Sequence, residues 1–527
     1  MECCLSRDSS IVLGSFEGEM KNHRVLGSVA RRALGVGLSI SGSALMLACS
    51  SNPPSSAAPS SAGAGSGTSA GAGGSAGVGL GGVAGAAASG SAGSGSLSGV
   101  TFHKDVEPIL QRSCQSCHVA GGIAPFPLLT YAEAHAFGAA IVQQTKSRAM
   151  PPWHAQNTDE CIVPLGWKND TRLSDAEIAT IEAWNAAGLP EGDAKDAPSP
   201  RAPSPGLPGV QVELKPATPF ALEPGGDQFR CFVLDPKLTK DTFVNGVFVV
   251  PGNAAVVHHV LVFTDPKAKS LANADASLSY DCFGGARVDE SQLLTAWTPG
   301  GIPMEYPANV ATTLTAGTLL VMQVHYHPHS ATDVDSDATR VQLRFNDTPP
   351  QYNAVNVLIG NFNGLAADGD GLLPGPDDPA SGPKFLIPAN ASAHTETMQF
   401  TLGDAAFPAT YAPRLYGVGG HMHYVGVDEK ITLERSDGSS ACLMQIPHWD
   451  FDWQRRYDYD APIDQLLKIN VGDKFNIRCT YDNTMANQKV AASLLEQGIA
   501  APRPVTLGES TLDEMCLASI TALFPAQ

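Results

Sequence analysis

Four groups of residues in this 527-residue chain have types and spacings that could hold a redox-active metal. The first is Cys114-Gln115-Ser116-Cys117-His118. Two thiols at i and i+3 can add to the vinyl groups of one porphyrin, and the next residue, His118, then lies over the iron, which is the attachment pattern of a c-type haem. A zinc half-site would call for a second ligand pair nearby and a redox dithiol for a βαβ context, and the sequence supplies neither. Met150, in the Pro-locked stretch "SRAMPPWHA", is the candidate second axial ligand, and a thioether there raises the haem potential and suits electron transfer. The other three are histidine clusters in β-like stretches: His258-His259 in "VVHHVLVF", His325 with His327 in "LLVMQVHYH", and His421 with His423 in "GGHMHYVG". His-x-His on a strand puts both imidazoles on one face, about 7 Å apart, a spacing suited to one ion. Adjacent histidines point to opposite faces, so His258 and His259 share an ion only at a strand end or a bulge. Imidazole-rich, carboxylate-poor sites suit copper or zinc, and a thioether in the set moves the choice to copper, Cu(I) above all.

The elements that must position these groups differ along the chain. Residues 100–190 carry helical patterns: Val106, Ile109 and Leu110 in "FHKDVEPILQRSC", then Ile178, Ile181 and Trp184 in "SDAEIATIEAWNAAGLP", opened by a Ser/Asp cap and closed by Gly188 and Pro190. Residues 191–215, rich in Pro, Asp and Ala, read as a linker. From 216 onward, short β-rich runs such as "TFVNGVFVV", "AVNVLIG" and "DKFNIRCTYD" alternate with turn residues, the texture of a β-sandwich or jelly roll. Its length suits two such domains in tandem, 216–385 and 386–527. The expected fold is therefore multidomain and mainly β, with two tandem jelly-roll or β-sandwich domains behind a small α-helical unit.

Composition narrows the setting. A formal charge of −19 leaves nothing to neutralise phosphates and excludes a nucleic-acid partner. Beyond the Gly/Ala/Ser-rich stretch 50–99, no Gly-x-Ser-x-Gly elbow, Walker loop or Gly-x-Gly-x-x-Gly after a strand supports nucleophilic or nucleotide chemistry. Residues 1–49 read as an export segment, with translation starting at Met20: Lys21, Arg24, Arg31 and Arg32 precede the apolar run "ALGVGLSISGSALMLA", which meets Cys49. The pattern resembles a bacterial lipoprotein signal with lipidation at Cys49, and the apolar run falls short of the roughly 20 residues a spanning helix needs. Residues 50–99, almost all Gly, Ala and Ser, form a disordered tether. Export makes Cys161, Cys231, Cys282, Cys442, Cys479 and Cys516 candidates for disulfides.

From about 225 to the C-terminus, the order of these motifs resembles the copper type II, ascorbate-dependent monooxygenases, typified by peptidylglycine α-hydroxylating monooxygenase and dopamine β-hydroxylase. The resemblance implies two copper ions: one on His258, His259 and His325, the other on His421, His423 and Met515 of "LDEMCLASI". It implies disulfides Cys231–Cys282 and Cys479–Cys516, the latter pinning the loop that presents Met515. It further implies that the His421/His423/Met515 centre activates O2 to hydroxylate a C–H bond of a small-molecule substrate. The three-His centre then stores an electron from ascorbate or another donor. Fusion to a c-type haem suggests that the haem is such a donor.

Several features depart from the family pattern. His327 and His329 are additional, Met485 competes with Met515 as the thioether, and Cys161 and Cys442 have no family partners, so they either stay free or link the haem unit to the copper domains. The same ligand sets would equally serve a non-catalytic electron-transfer or copper-holding lipoprotein.

Overall fold

The computed structural model describes residues 99–526 except 121–123, 201–205, 225, 284, 299–300, 328–334, 362–370, 376–377, 379–381, 403–411, 509 and 511. The export segment, Cys49, the tether and His329 lie outside the described residues. Helices gather near the start: α1 Glu107–Ser113, α2 Tyr131–Ala136, α3 Gly138–Lys146 and α4 Asp175–Ala186, with α5 Gln488–Glu496 far along the chain. The first four surround a core of Phe102, Val106, Leu110, Ile141, Ile181 and Trp184. Capping boxes start two of them. Ser174 accepts from the Glu177 amide while the Glu177 carboxylate takes the Ser174 amide, and Thr130 and Glu133 do the same for α2. Each box satisfies amides that a helix N-terminus otherwise leaves unpaired.

The rest is mainly β. The strands that matter below are β1 Gly166–Trp167, β2 Val212–Leu214, β3 Gln228–Leu234, β4 Thr242–Val250, β5 Val257–Asp265, β6 Gln292–Trp297, β7 Leu319–Tyr326, β8 Arg340–Asn346, β9 Tyr352–Gly360, β10 Ser392–Thr401, β11 Arg414–His421, β12 Gly426–Glu434, β13 Ser440–Ile446, β14 Arg456–Asp460, β15 Lys474–Asp482 and β16 Leu517–Pro525. One hydrogen-bonded ladder runs β1-β14-β11-β16-β9-β6-β5-β7-β3. Strand pairing therefore crosses the expected boundary at 385/386: β9 pairs with β16 over its whole length, from Tyr352 opposite Pro525 to Gly360 opposite Leu517. A second sheet, β10-β15-β12-β13, lies in the C-terminal half, and β4, β8 and β2 pair in the N-terminal half. Buried apolar side chains from both halves form one continuous core.

Two stretches differ from the sequence reading. The expected linker 191–215 ends in β2, which pairs with β8, and Leu207 is buried with its amide donating to Gln342 Oε1 at 2.7 Å. The expected 100–190 unit is divided between two cores. Trp153, Ala155, Cys161, Val163 and Trp167 leave the helices and pack into the β core, where each large side chain withdrawn from water contributes roughly 2 kcal/mol. A disulfide joins Cys161 to Cys442 on β13, which settles the two cysteines left open by the sequence.

Candidate metal centre

The three-His group is built by one irregularity of register. On the β5–β7 pair, His259 faces His325 and Val257 faces Tyr326, so His258 is the extra residue of a β-bulge. Because a bulge turns one residue out of alternation, His258 and His259 reach the same side. His259 Nδ1 lies 3.2 Å from His258 Nδ1 and 3.4 Å from His325 Nδ1. Imidazole nitrogens held about 2.0–2.1 Å from one ion at near-tetrahedral angles sit about 3.3–3.4 Å from one another, which the two His259 distances match, and ligand atoms of all three residues lie within 4.8 Å of one another. Neighbouring groups fix the rings. His325 stacks on Phe229 at 4.2 Å with Asp227 Oδ2 3.5 Å from its Nε2, and His258 stacks on Phe451 at 4.7 Å. Burial, with the charge of neighbouring imidazoles, pushes His258 down to about 3 and His259 well below the usual histidine range. Both stay neutral, with lone pairs available, at physiological pH.

The second group lies where β11 ends. His421 closes the strand, Met422 turns inward into the core, and His423 follows with its ring 5.1 Å from that of His421. The Nδ1 of each ring is already engaged. His423 Nδ1 donates to the Asp513 carbonyl at 3.0 Å, and His421 Nδ1 donates to Gln454 Oε1. Gln454 has no freedom to present its amide nitrogen instead, because its Nε2 donates to the Phe451 carbonyl at 2.9 Å. Both imidazoles therefore carry their proton on Nδ1 and keep the Nε2 lone pair, as hydrogen-bonded partners of metal-binding histidines do. Burial lowers both histidines, His423 to about 3.

Met515 is carried to the same place by strand register. His421 faces Leu517 on β16, two residues beyond Met515, and Met515 is buried, 6% exposed. Glu514 clamps the two segments together: its carboxylate accepts the amides of His423, Val425 (3.2 Å) and Met515 (2.8 Å). Burial pushes the Glu514 carboxyl up to about 8, against the lowering effect of those amides. Cys516 is disulfide-bonded to Cys479, and the Tyr481 hydroxyl donates to the Met515 carbonyl at 2.9 Å. The competing Met485 is 50% exposed, and His327 turns to Asp227 Oδ1 at 2.6 Å. The disulfide Cys231–Cys282 lies beside β3.

Cys114, Cys117 and His118 form one turn at the end of α1, where the Cys117 and His118 amides both donate to the Cys114 carbonyl at 3.1 and 3.0 Å. The two cysteines are not disulfide-bonded. His118 Nδ1 donates to the Phe126 carbonyl at 2.9 Å, which leaves Nε2 for an axial bond, so the turn fits a covalently bound haem. Met150 lies on a separate, half-buried segment after α3 and leads directly into Trp153.

Sequence reasoning missed Asp227, Phe451, Gln454 and the clamping role of Glu514. Only Glu514 had a local signal, its place beside Met515. Gln454 meets His421 across 33 residues of chain, a separation that no motif spacing encodes.

No protein-family model matches the chain, and no curated protein matches it. Among solved structures, the cryo-EM structure of broad bean stain virus is similar over 60% of this chain and 88% of that one, at 8% identity and a TM-score of 0.23. A structure of allantoicase is similar over 50% of this chain and 81% of that one, at 12% identity and a TM-score of 0.14. For PNGF-II the coverage is 60% and 65%, with 9% identity and a TM-score of 0.24. Similarity at this level carries no argument about the chemistry of this chain.

Proposed function

We propose that this chain is a copper-dependent monooxygenase, similar to the copper type II, ascorbate-dependent enzymes, that hydroxylates a C–H bond of a small organic substrate with O2. In this reading the β region is two copper-binding β-sandwich halves joined by the β9–β16 pair, and the helices around the CxxCH turn are a cytochrome c-like unit. The observation that supports it most is the pair of preorganised imidazole groups on one ladder, three Nδ1 atoms within reach of one ion and two Nε2 atoms freed by Gln454 and Asp513. A buried methionine, Met515, whose amide and that of His423 donate to one carboxylate, favours copper over zinc.

Copper bound at these two sites supplies one-electron redox chemistry toward O2. The overall reaction consumes substrate, O2, two electrons and two protons, and yields hydroxylated product and water. His258, His259 and His325 hold one ion; His421, His423 and Met515 hold the other. Gln454 and Asp513 fix the tautomers, Glu514 holds the Met515 segment, and the Phe451 ring packs on His258 at 4.7 Å and edge-on to His423 at 5.8 Å, so one side chain braces both groups. Electrons would come from ascorbate or through a c-type haem that Cys114, Cys117, His118 and Met150 would hold. Three disulfides fit an oxidising compartment, and lipidation of Cys49 anchors the chain to a bacterial membrane, facing the periplasm or cell exterior.

The test is the copper and haem content of the full, exported chain, followed by O2 uptake with a panel of small C–H substrates. Two coppers, one haem and uptake matched to hydroxylated product support the reading. Metal and haem without product would assign a non-catalytic, copper-holding electron-transfer protein instead.

A further inference from the structure

The segment between the CxxCH turn and α4 is fastened to the strands beneath His421, not to the three-His group. β1 pairs with β14, Gly166 opposite Asp460 and Trp167 opposite Tyr459, and the Trp167 and Tyr459 rings stack at 5.0 Å. Trp153 meets the Tyr457 ring edge-on at 5.2 Å, the His154 amide donates to the Tyr457 hydroxyl at 3.3 Å, and His154 Nδ1 donates to the His448 carbonyl at 3.0 Å. The Cys161–Cys442 disulfide and the Glu160 ion pairs with Lys430 (2.9 Å) and Arg478 (2.7 Å) complete the joint. β14 in turn pairs with β11, Tyr457 opposite Val418, and the residue two before its start, Gln454, accepts from His421. A continuous path therefore runs Met150-Pro151-Pro152-Trp153, across the ring contact to Tyr457, back through Arg456 and Arg455 to Gln454, and by a hydrogen bond to His421.

We propose that Trp153 and Tyr457 form the entry route by which a haem electron reaches the metal held by His421, His423 and Met515, ahead of the three-His metal. The proposal rests on the reading that both copper and haem are bound. In the step, one electron leaves ferrous haem, which becomes ferric, and reduces Cu(II) at that site to Cu(I). No bond forms or breaks, and an external one-electron donor restores the haem. The rings act as a coupling medium and are not themselves oxidised. The Arg455 guanidinium lies 4.9 Å over the Trp153 ring and 5.9 Å over that of Tyr457, and a cation there opposes positive charge on either ring. Arg455 has no carboxylate within salt-bridge distance among the described residues to cancel that charge.

The experiment uses the full chain with haem and Cu(II), under anaerobic conditions. A pulsed photoreductant delivers one electron to the haem, and decay of the ferrous haem absorbance is followed, with Cu(II) loss read by electron paramagnetic resonance. The expected result is decay that persists in His259→Ala, disappears in His421→Ala, slows about tenfold in Trp153→Leu and recovers in Trp153→Phe. Decay lost in His259→Ala and kept in His421→Ala would overturn the proposal and move entry to the three-His metal. An unchanged rate in Trp153→Leu, with haem and copper fully bound, would overturn it as well. Wild-type protein lacking copper or haem would sink the parent reading instead, and metal analysis before the kinetics separates the two failures.

Discussion

His259 and His325 are direct register partners on adjacent strands, with Nδ1 atoms 3.4 Å apart, and His258 joins them only because it is the extra residue of the bulge. The geometry of this imidazole group is a property of strand register. Replacing one ligand should therefore empty one site and spare the other. His259→Ala is expected to lower bound copper from about two ions per chain to about one, measured by elemental analysis with circular dichroism unchanged. Retention of both ions would show that this group does not hold copper.

Gln454 sets the tautomer of His421 from a position on the chain where no ligand motif exists. Gln454→Leu keeps the side-chain bulk and removes the acceptor. Loss of such a partner weakens a metal site by about 10–100-fold, so chelator competition should show that drop at one copper and none at the other. Equal affinity for both ions in the variant would remove the orienting role.

In the proposed reading Met515 supplies the soft ligand. Met515→Ile preserves volume and leaves the Cys479–Cys516 bond in place. The expected loss falls on Cu(I) and not on Cu(II), by about tenfold or more, read by parallel titrations of the two oxidation states. A loss equal for both states would point to a general disturbance of the loop.

The disulfide between Cys161 and Cys442 closes the joint between the helical region and the β core. Replacing both with Ala should cost about 2–4 kcal/mol in denaturant unfolding. The Trp153 fluorescence environment should loosen before the β core melts. An unchanged midpoint would mean that strand pairing and ring stacking hold the joint alone.

Acid should loosen the same joint. The Lys430 and Arg478 side chains hold the Glu160 carboxyl down from its ordinary 4.5 to about 2. A carboxyl with a depressed folded-state value contributes stability that is complete above 4.5 and lost as pH falls toward 2. Glu160 is exposed, so the effect is small and shrinks with added salt. Glu160→Gln should flatten the stability slope across that window and nowhere else. An identical slope in wild type and variant would show that the ion pairs add nothing.

Much of the candidate site was legible in the sequence because it is local. Cys114-x-x-Cys117-His118 states its own geometry, since i and i+3 thiols followed by a histidine lie on one turn whatever surrounds them. His421-x-His423 follows from strand alternation in the same way. The β texture of the C-terminal three-fifths came from short runs of β-branched and aromatic residues between turns. The pattern could also say that His258 and His259 needed a bulge or a strand end to act together.

What the tertiary structure decided is everything that depends on which strand lies beside which. Sequence periodicity fixes the face on which a side chain lies, while its partner is chosen by register, and register depends on packing over the whole core. That is why the bulge falls on His258, why Leu517 lands opposite His421 and brings Met515 with it, and why Gln454 meets His421. It is also why residues 153–167, which follow the Cys114-x-x-Cys117-His118 turn in the chain, belong to the β core. Two tryptophans and a cysteine found better burial against Tyr457, Tyr459 and Cys442 than the small helical core could give them.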